Sequence, residues 1–154
     1  MDTNYSTYDK IKQYIDANPI ATLSTINLDG SPYGAAVYVC TDDTRRVIYF
    51  LTKTGTKKYK NLSSRDQVSL TIVNPDQNST LQLNGRAVAT HDSNTIDMVV
   101  KKITRTHASA SEWLPPVSKL HAGSYVIVAV EVWHARLAQF DGMEMGDEHI
   151  FTQA

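Results

Sequence analysis

Cysteine is almost missing from this 154-residue chain. Cys40 stands alone, so no intramolecular disulfide can form, and the composition fits a reducing compartment. Long apolar runs are missing too: no window approaches the roughly 20 apolar residues that a membrane-spanning helix needs. The opening residues, MDTNYSTYDK, carry neither the basic leader nor the apolar stretch of an export signal. The expectation is a soluble, cytoplasmic protein with no membrane partner. Charge of one sign is not in excess either. Fifteen Lys and Arg stand against sixteen Asp and Glu, a net charge of −1. No whole-molecule field draws nucleic acid or an anionic bilayer, and any anion site has to be local.

Several catalytic signatures are also missing. His91, His107, His121, His134 and His149 form no His-x-x-x-His pair, and no Cys-x-x-Cys exists, so no metal site is expected. No Gly-x-Ser-x-Gly elbow and no Gly-x-x-x-x-Gly-Lys-Ser/Thr loop occurs. Cys40 lies at a strand end with no base that the sequence reveals, and it reads as a structural cysteine. The pairs Asp42-Asp43 and Asp147-Glu148 are adjacent, so they do not face each other on a regular element and read as solvated turn and tail. No residue is assigned to catalysis.

What is present is an ordinary soluble composition, 42% hydrophobic, in a length that suits one domain over residues 1–154. Ser6 or Thr7 can cap a first helix carrying Tyr8, Ile11 and Ile15, stopped at Asn18-Pro19. The period then changes. Ile20–Ile26, Tyr33–Cys40 and Val47–Leu51 read as strands, separated by Asp29-Gly30 and by the polar turn Thr41–Arg45. Val68–Val73 is a strand closed by Asn74-Pro75-Asp76. Leu81–Thr90 alternates, with Leu81 and Leu83 on one face and Thr80, Gln82 and Asn84 on the other. Ser93–Thr106 returns to helical spacing through Ile96, Val99, Val100 and Ile103. Ala108–His121 reads as a loop or broken helix. Ser124–Trp133 is the last clear strand, extended by Ala135–Phe140 past a kink, and the tail from Asp141 is left unplaced. About six strands with two helices and short links predict a mainly β fold, an antiparallel, Greek-key-like barrel whose closure removes exposed edges.

The segment Leu51–Leu62, LTKTGTKKYKNL, is chemically the richest. Hydroxyls, a glycine and clustered lysines directly after a strand are what a phosphate requires: short donors, accessible backbone N–H groups and positive charge. The same composition also describes a solvated basic turn. Trp113, Trp133 and the tyrosines can line a flat ligand or pack a core, and Tyr38 precedes the lysine-rich loop by one strand.

Taken in order, ATLSTINLDGSPYGAAVYV, VIYFLTKTGTKKYKNLSSRDQVSLTIV and LQLNGRAVAT resemble the pyridoxamine 5′-phosphate oxidase-like, FMN-binding split-barrel family, in particular its short general stress protein members. The shared features are Ala-Thr followed by Asp-Gly-x-Pro, a strand ending in Thr, a Thr-x-Lys grip, Asn-Leu, and a late Gly-x-Ala strand, over roughly residues 18–90. The resemblance implies FMN as cofactor, held between the subunits of a homodimer. It implies that Lys58 pairs with the FMN phosphate, Thr56 is its hydroxyl partner, Lys57 is a second cation and Thr52 lies near the ribityl–phosphate part. Ala36, Val37 and Tyr38 would lie along the isoalloxazine ring, with Thr80 or Gln82 reaching it from the late strand.

Full-length oxidases have an arginine where this chain has Gly34-Ala35-Ala36, and a Trp- and Arg-bearing tail for which Trp133 and Arg136 are weak stand-ins, so vitamin B6 oxidation is not implied. The expected function is flavin-dependent redox transfer, with NAD(P)H as reductant and an unknown small substrate. The alternatives are a non-catalytic, stress-related flavin-binding module, or a deazaflavin-binding relative. Haem is disfavoured for want of a histidine with a clear axial setting, and a nucleic-acid-binding barrel by the net charge.

Overall fold

The computed structural model describes residues 3–43, 46–106, 124–140 and 148–152. Helix α1 (Thr3–Ala17) is followed by strands β1 (Ile20–Ile26), β2 (Pro32–Thr41) and β3 (Val47–Lys53), then helix α2 (Lys57–Ser64). Strands β4 (Gln67–Asn74) and β5 (Ser79–Thr90), helix α3 (Ser93–Thr106), and strands β6 (Tyr125–Gln139) and β7 (Glu148–Thr152) complete the order. The fold is mainly β. Its strands run β3-β2-β1-β4-β5-β6-β7, and β3 also pairs with β6, closing six antiparallel strands into a barrel with β7 appended. β1 to β3 form a meander and β4 returns beside β1, which is the Greek-key order 4-1-2-3.

Closure depends on the long strand β6. Its first half, Tyr125 to Glu131, pairs with β3, and its second half, His134 to Ala138, pairs with β7. The change of partner falls at a bulge. Asn84 of β5 faces His134, whereas Gly85 faces Val132, so Trp133 is the extra residue. This is the kink expected between Trp133 and Ala135. Gly85 is required there by close approach, since a Cβ would lie 2.6 Å from the Glu131 carbonyl oxygen and 2.6 Å from Val130 Cγ1. Gly30 is needed for a different reason. Its φ of +87° closes the β1–β2 turn in a region that side chains disfavour.

Alternation decides the interior. Leu23, Val37, Val39, Ile48, Phe50, Leu70, Ile72, Leu81, Leu83, Val126, Val128 and Val130 point inward and form the main core. α1 adds Ile11, Tyr14 and Ile15 to that core, and the Tyr14 hydroxyl donates to the Ser79 carbonyl at 3.0 Å. α2 adds Leu62. The outward faces of β2, β3 and β6 are buried where α3 lies over them. Cys40, Tyr49 and Ile127 pack there against Ile96, Val99 and Ile103. Coverage on both sides explains why the β3 sequence is almost wholly apolar instead of alternating.

Four expectations need correction. The first helix begins at Thr3, before the expected cap at Ser6 or Thr7. Residues Lys57–Ser64, read as loop, are a third helix, because the Thr56 side chain caps its start and Leu62 anchors it in the core. The polar tail supplies a seventh strand, β7, which the free second half of β6 accepts as a partner. Strand β3 also runs on to Lys53, so Thr52 and Lys53 are strand residues. The loop expected over Ala108–His121 lies outside the described residues.

Gly85→Ala is expected to cost about 1–3 kcal/mol, the range for forcing a methyl group into a packed site. A urea unfolding midpoint equal to that of the parent protein would contradict the close approach at the bulge.

Candidate functional site

One connection of the barrel has unusual chemistry. β3 ends at Lys53 and the chain crosses one end of the barrel to reach β4, carrying α2 on the way. The turn into α2 is bound to the start of β6, where Thr54 donates through its backbone N–H to the Ser124 carbonyl at 3.1 Å. Thr56 is the cap of α2. Its backbone is extended (φ −80°, ψ 155°) and its Oγ1 accepts from the Tyr59 amide at 3.4 Å. The same hydroxyl lies 3.1 Å from Thr52 Oγ1 and donates to the Lys53 carbonyl at 2.9 Å. The capping hydrogen bond takes the Tyr59 amide, while the Lys57 and Lys58 amides sit at the open end of the helix, where no earlier turn supplies an acceptor.

The charges around that end have the wrong sign for the helix alone. An N-terminus carries partial positive charge and favours Asp or Glu. Here the first turn has no acidic residue and opens with Lys57-Lys58. An anion seated at the helix end would relieve this accumulation of positive charge and meet free amides at the same time.

Beside it opens a cleft of about 410 Å³ lined by Ala36, Val37, Tyr38, Leu51, Thr52, Lys53, Thr56, Lys58 and Tyr125. That size lies within the ordinary range of small-molecule sites, about 300–1,000 Å³. Ala36 and Tyr38 face outward from β2, so a small side chain lets a flat ligand approach the strand backbone while a tyrosine borders it. Leu51 and Tyr125 add apolar surface. The Lys53 ammonium lies 5.6 Å from the Tyr125 ring centroid, within cation–π distance. The lining thus divides into an apolar part along β2 and a hydroxyl-and-ammonium part at the head of α2. Among the described residues, the lining contains no carboxylate, histidine or cysteine.

Of the residues singled out in the sequence, Ala36, Val37, Tyr38, Thr52, Thr56 and Lys58 come together in this cleft. Lys57 does not line it. Its ammonium lies 5.0 Å from the Tyr33 ring centroid, on the side of the β1–β2 turn. Thr80 and Gln82 do not line it either. They share the outer face of the barrel, but β5 is three strands from β2 in the order β2-β1-β4-β5, about 14 Å at the usual strand spacing. Leu51, Lys53 and Tyr125 were missed. Lys53 had a signal, its place in the lysine-rich segment next to Thr52. Tyr125 had none, since it is brought to Lys53 across the β3–β6 register. Among the described residues, no three His, Cys, Asp or Glu side chains are grouped as a metal site would require, and no helix is long and apolar enough to cross a membrane.

The chain matches the pyridoxamine 5′-phosphate oxidase family over residues 7–136. Solved structures share its fold. General Stress Protein 26 from Bacillus anthracis str. Sterne is 18% identical, with a TM-score of 0.71 over 94% of this chain and 97% of that one. An F420 reductase is 22% identical, with a TM-score of 0.62 over 78% of this chain and 91% of that one. A pyridoxamine 5′-phosphate oxidase-related, FMN-binding protein from Nostoc punctiforme PCC 73102 is 10% identical, with a TM-score of 0.66 over 99% of this chain and 91% of that one. At these identities the likeness is one of fold. No curated protein matches the chain.

Cys40 lies under α3 and not in the cleft. Burial pushes its thiol up to about 12 from 9.0, against the opposing charge of Lys102. It should therefore resist a thiol-modifying reagent at pH 8 until denaturant is added. The unfolded chain releases this proton first, so the group's contribution to stability is lost as pH climbs from about 9 through about 12. Rapid labelling of the folded protein at pH 8 would contradict the burial of this sulfur.

Proposed function

The chain belongs to the pyridoxamine 5′-phosphate oxidase family, and from that membership we propose that its cleft holds FMN and that the protein is a flavin-dependent oxidoreductase. The observation that carries this reading is the junction of two surfaces. Thr52, Thr56 and Lys58 meet at the capped head of α2, and that head opens onto the outward face of Ala36 and Tyr38. A phosphorylated flavin has the matching two ends, a dianion and a flat ring. Lys58 and Thr56 would hold the phosphate together with the open amides of α2, and Thr52 would orient Thr56. Lys53 would serve as the second cation in the cleft, with Lys57 set behind it against Tyr33. Ala36, Val37 and Tyr38 would border the ring. When bound, FMN supplies the two-electron redox chemistry, and the chain's part is to bind, orient and tune it. No proton-transfer residue is assigned, in keeping with the absence of carboxylate, histidine and cysteine among the described lining residues.

Thr80 and Gln82 enter this reading through a second copy of the chain. Ala36 is exposed, so the ring side of the cleft is uncovered within one subunit. Among the described residues, no helix lies over the outer face of β1, β4 and β5, which exposes Ile20 (47%) and Val73 (58%). In a homodimer built on that face, Thr80 and Gln82 of the partner would close over the ring. A cytoplasmic protein using NAD(P)H as reductant completes the proposal.

A deazaflavin is the second reading, favoured by the fold shared with an F420 reductase and by the two cleft lysines, Lys53 and Lys58. A flavin-binding module without turnover is the third, favoured by the absence of carboxylate, histidine and cysteine among the described lining residues.

Purified protein mixed with FMN and desalted should keep flavin absorbance and should elute as a dimer. Loss of all flavin, with a deazaflavin retained in its place, would move the assignment to the second reading. Retained FMN with no oxidation of NADH or NADPH would support the third. Lys58→Ala is expected to weaken FMN binding by about 1.5–3 kcal/mol, the value of a charge-assisted hydrogen bond. Unchanged affinity in a titration would remove the phosphate assignment.

A further inference from the structure

Two motifs noted in the sequence, Asp29-Gly30 and Asn61-Leu62, contribute nothing to the lining of the cleft. Asn27 links them instead: it accepts from Asn61 and begins the turn that holds Asp29-Gly30. α2 has eight residues, too few for a helix to hold its own geometry in water, so its orientation is imposed from outside. Leu62 gives it an apolar anchor in the core, and Tyr59 packs against the same core. These apolar contacts are non-directional and do not by themselves fix the rotation of the helix, which sets where the Thr56–Lys58 end points.

Asn61 supplies a directional attachment to β1 and its turn. It is 4% exposed, and its Nδ2 donates to Thr25 Oγ1 at 3.1 Å and to Asn27 Oδ1 at 2.8 Å. Both amide hydrogens are thereby used. Thr25 is on β1 and is itself buried, at 1% exposure. Asn27 begins the β1–β2 turn and is fixed within it. Its Nδ2 donates to Ser31 Oγ at 3.0 Å, and its backbone N–H donates to the Ser31 carbonyl at 2.8 Å. Ser31 in turn donates to Asp29 Oδ1 from its N–H at 2.9 Å and from its hydroxyl at 2.6 Å. The turn is thus a cross-braced unit, and Asn61 joins the helix to it. At the other end of α2, Lys57 rests over Tyr33 on the strand that leaves the same turn.

We propose that Asn61 is a positioning residue: through Thr25 and Asn27 it holds α2 against the β1–β2 turn in the one orientation that aims Thr56 and Lys58 at a phosphate. The inference rests on the reading of the cleft as an FMN site. Its consequence is specific. Asn61 lies three residues beyond Lys58, about 4.5 Å along the helix axis, on the buried side. It touches no part of the ring surface on β2. Losing it should therefore harm recognition of the phosphate and spare recognition of the flavin ring.

The test compares FMN with riboflavin, which has the same ring and no phosphate. Affinities for both are measured by flavin fluorescence in the parent protein, in Asn61→Leu and in Asn27→Ala, alongside melting temperatures. The parent is expected to prefer FMN. Asn61→Leu should lower the FMN-to-riboflavin affinity ratio by about tenfold, equivalent to about 1.4 kcal/mol, while riboflavin affinity stays within about threefold. Asn27→Ala removes one of the two acceptors from a partly exposed turn and should lower the ratio in the same direction by about threefold, near the value of one neutral hydrogen bond. A lower melting temperature with the ratio unchanged would mean that Asn61 only stabilises the fold, and would overturn the proposal. If Asn61→Leu does not fold, an unchanged ratio in Asn27→Ala overturns it alone. A parent protein with no preference for FMN overturns the phosphate reading itself, and the positioning role with it. A parent preference that both variants keep overturns only the positioning role.

Discussion

The pairing of β3 with β6 is the contact on which the rest of this molecule rests. Seven residue pairs, from Val47–Glu131 to Lys53–Tyr125, convert an open sheet into a ring. Before they form, β3 and β6 present unpaired edges, and the inward side chains of six strands have no common interior. Once they form, Phe50, Val126 and Val128 become buried, and the outward residues of the same two strands become a platform for α3. The last of the seven pairs also sets Lys53 and Tyr125 side by side at the edge of the cleft.

The bulge at Trp133 follows from the same closure. A 15-residue strand cannot serve β3 along its whole length, because β3 has seven residues. The extra residue re-aims β6 where β3 runs out, and β7 takes the remaining hydrogen-bonding edge. Gly85 permits the tight passage. The long strand therefore belongs to the barrel in its first half and to a sheet extension in its second.

Greek-key order determines the position of the candidate site. β4 must return beside β1, so the β3–β4 connection crosses the barrel end and brings a short helix with it. The helix buries Leu62 and Asn61 toward β1 and presents Thr56 and Lys58 at the opening. Two lysines at the positive end of a helix disfavour that helix on electrostatic grounds, and only Lys58 of the two lines the cleft. The covered and uncovered faces of the barrel divide the same way. α3 protects β2, β3 and β6, whereas β1, β4 and β5 leave Ile20 and Val73 exposed.

Much of this was legible in the chain itself. β-Branched and apolar runs bounded by turn residues located β1, β2, β3 and β4, alternation located β5 and the first part of β6, and helical spacing located Ser93–Thr106. Motif order pointed to Thr52, Thr56, Lys58 and the Ala36–Tyr38 strand. These are local signals, set by side-chain direction and by short-range hydrogen bonding. The helix α2 escaped notice because its apolar content is one leucine and one tyrosine, too little for a periodic pattern, and the polar strand β7 because its partner edge exists only after β6 is bent. Tyr125 joins the cleft by a register between strands more than seventy positions apart. Lys57 parts from Lys58 because adjacent residues on a helix point about 100° apart. Thr80 and Gln82 parted from the cleft because strand order, not strand content, determines distance across a barrel. The sequence by itself determined which residues face inward and where the hydroxyls and lysines cluster. Tertiary structure decided which of those chemical groups share one cleft, since only closure of the ring converts positions along the chain into distances in space.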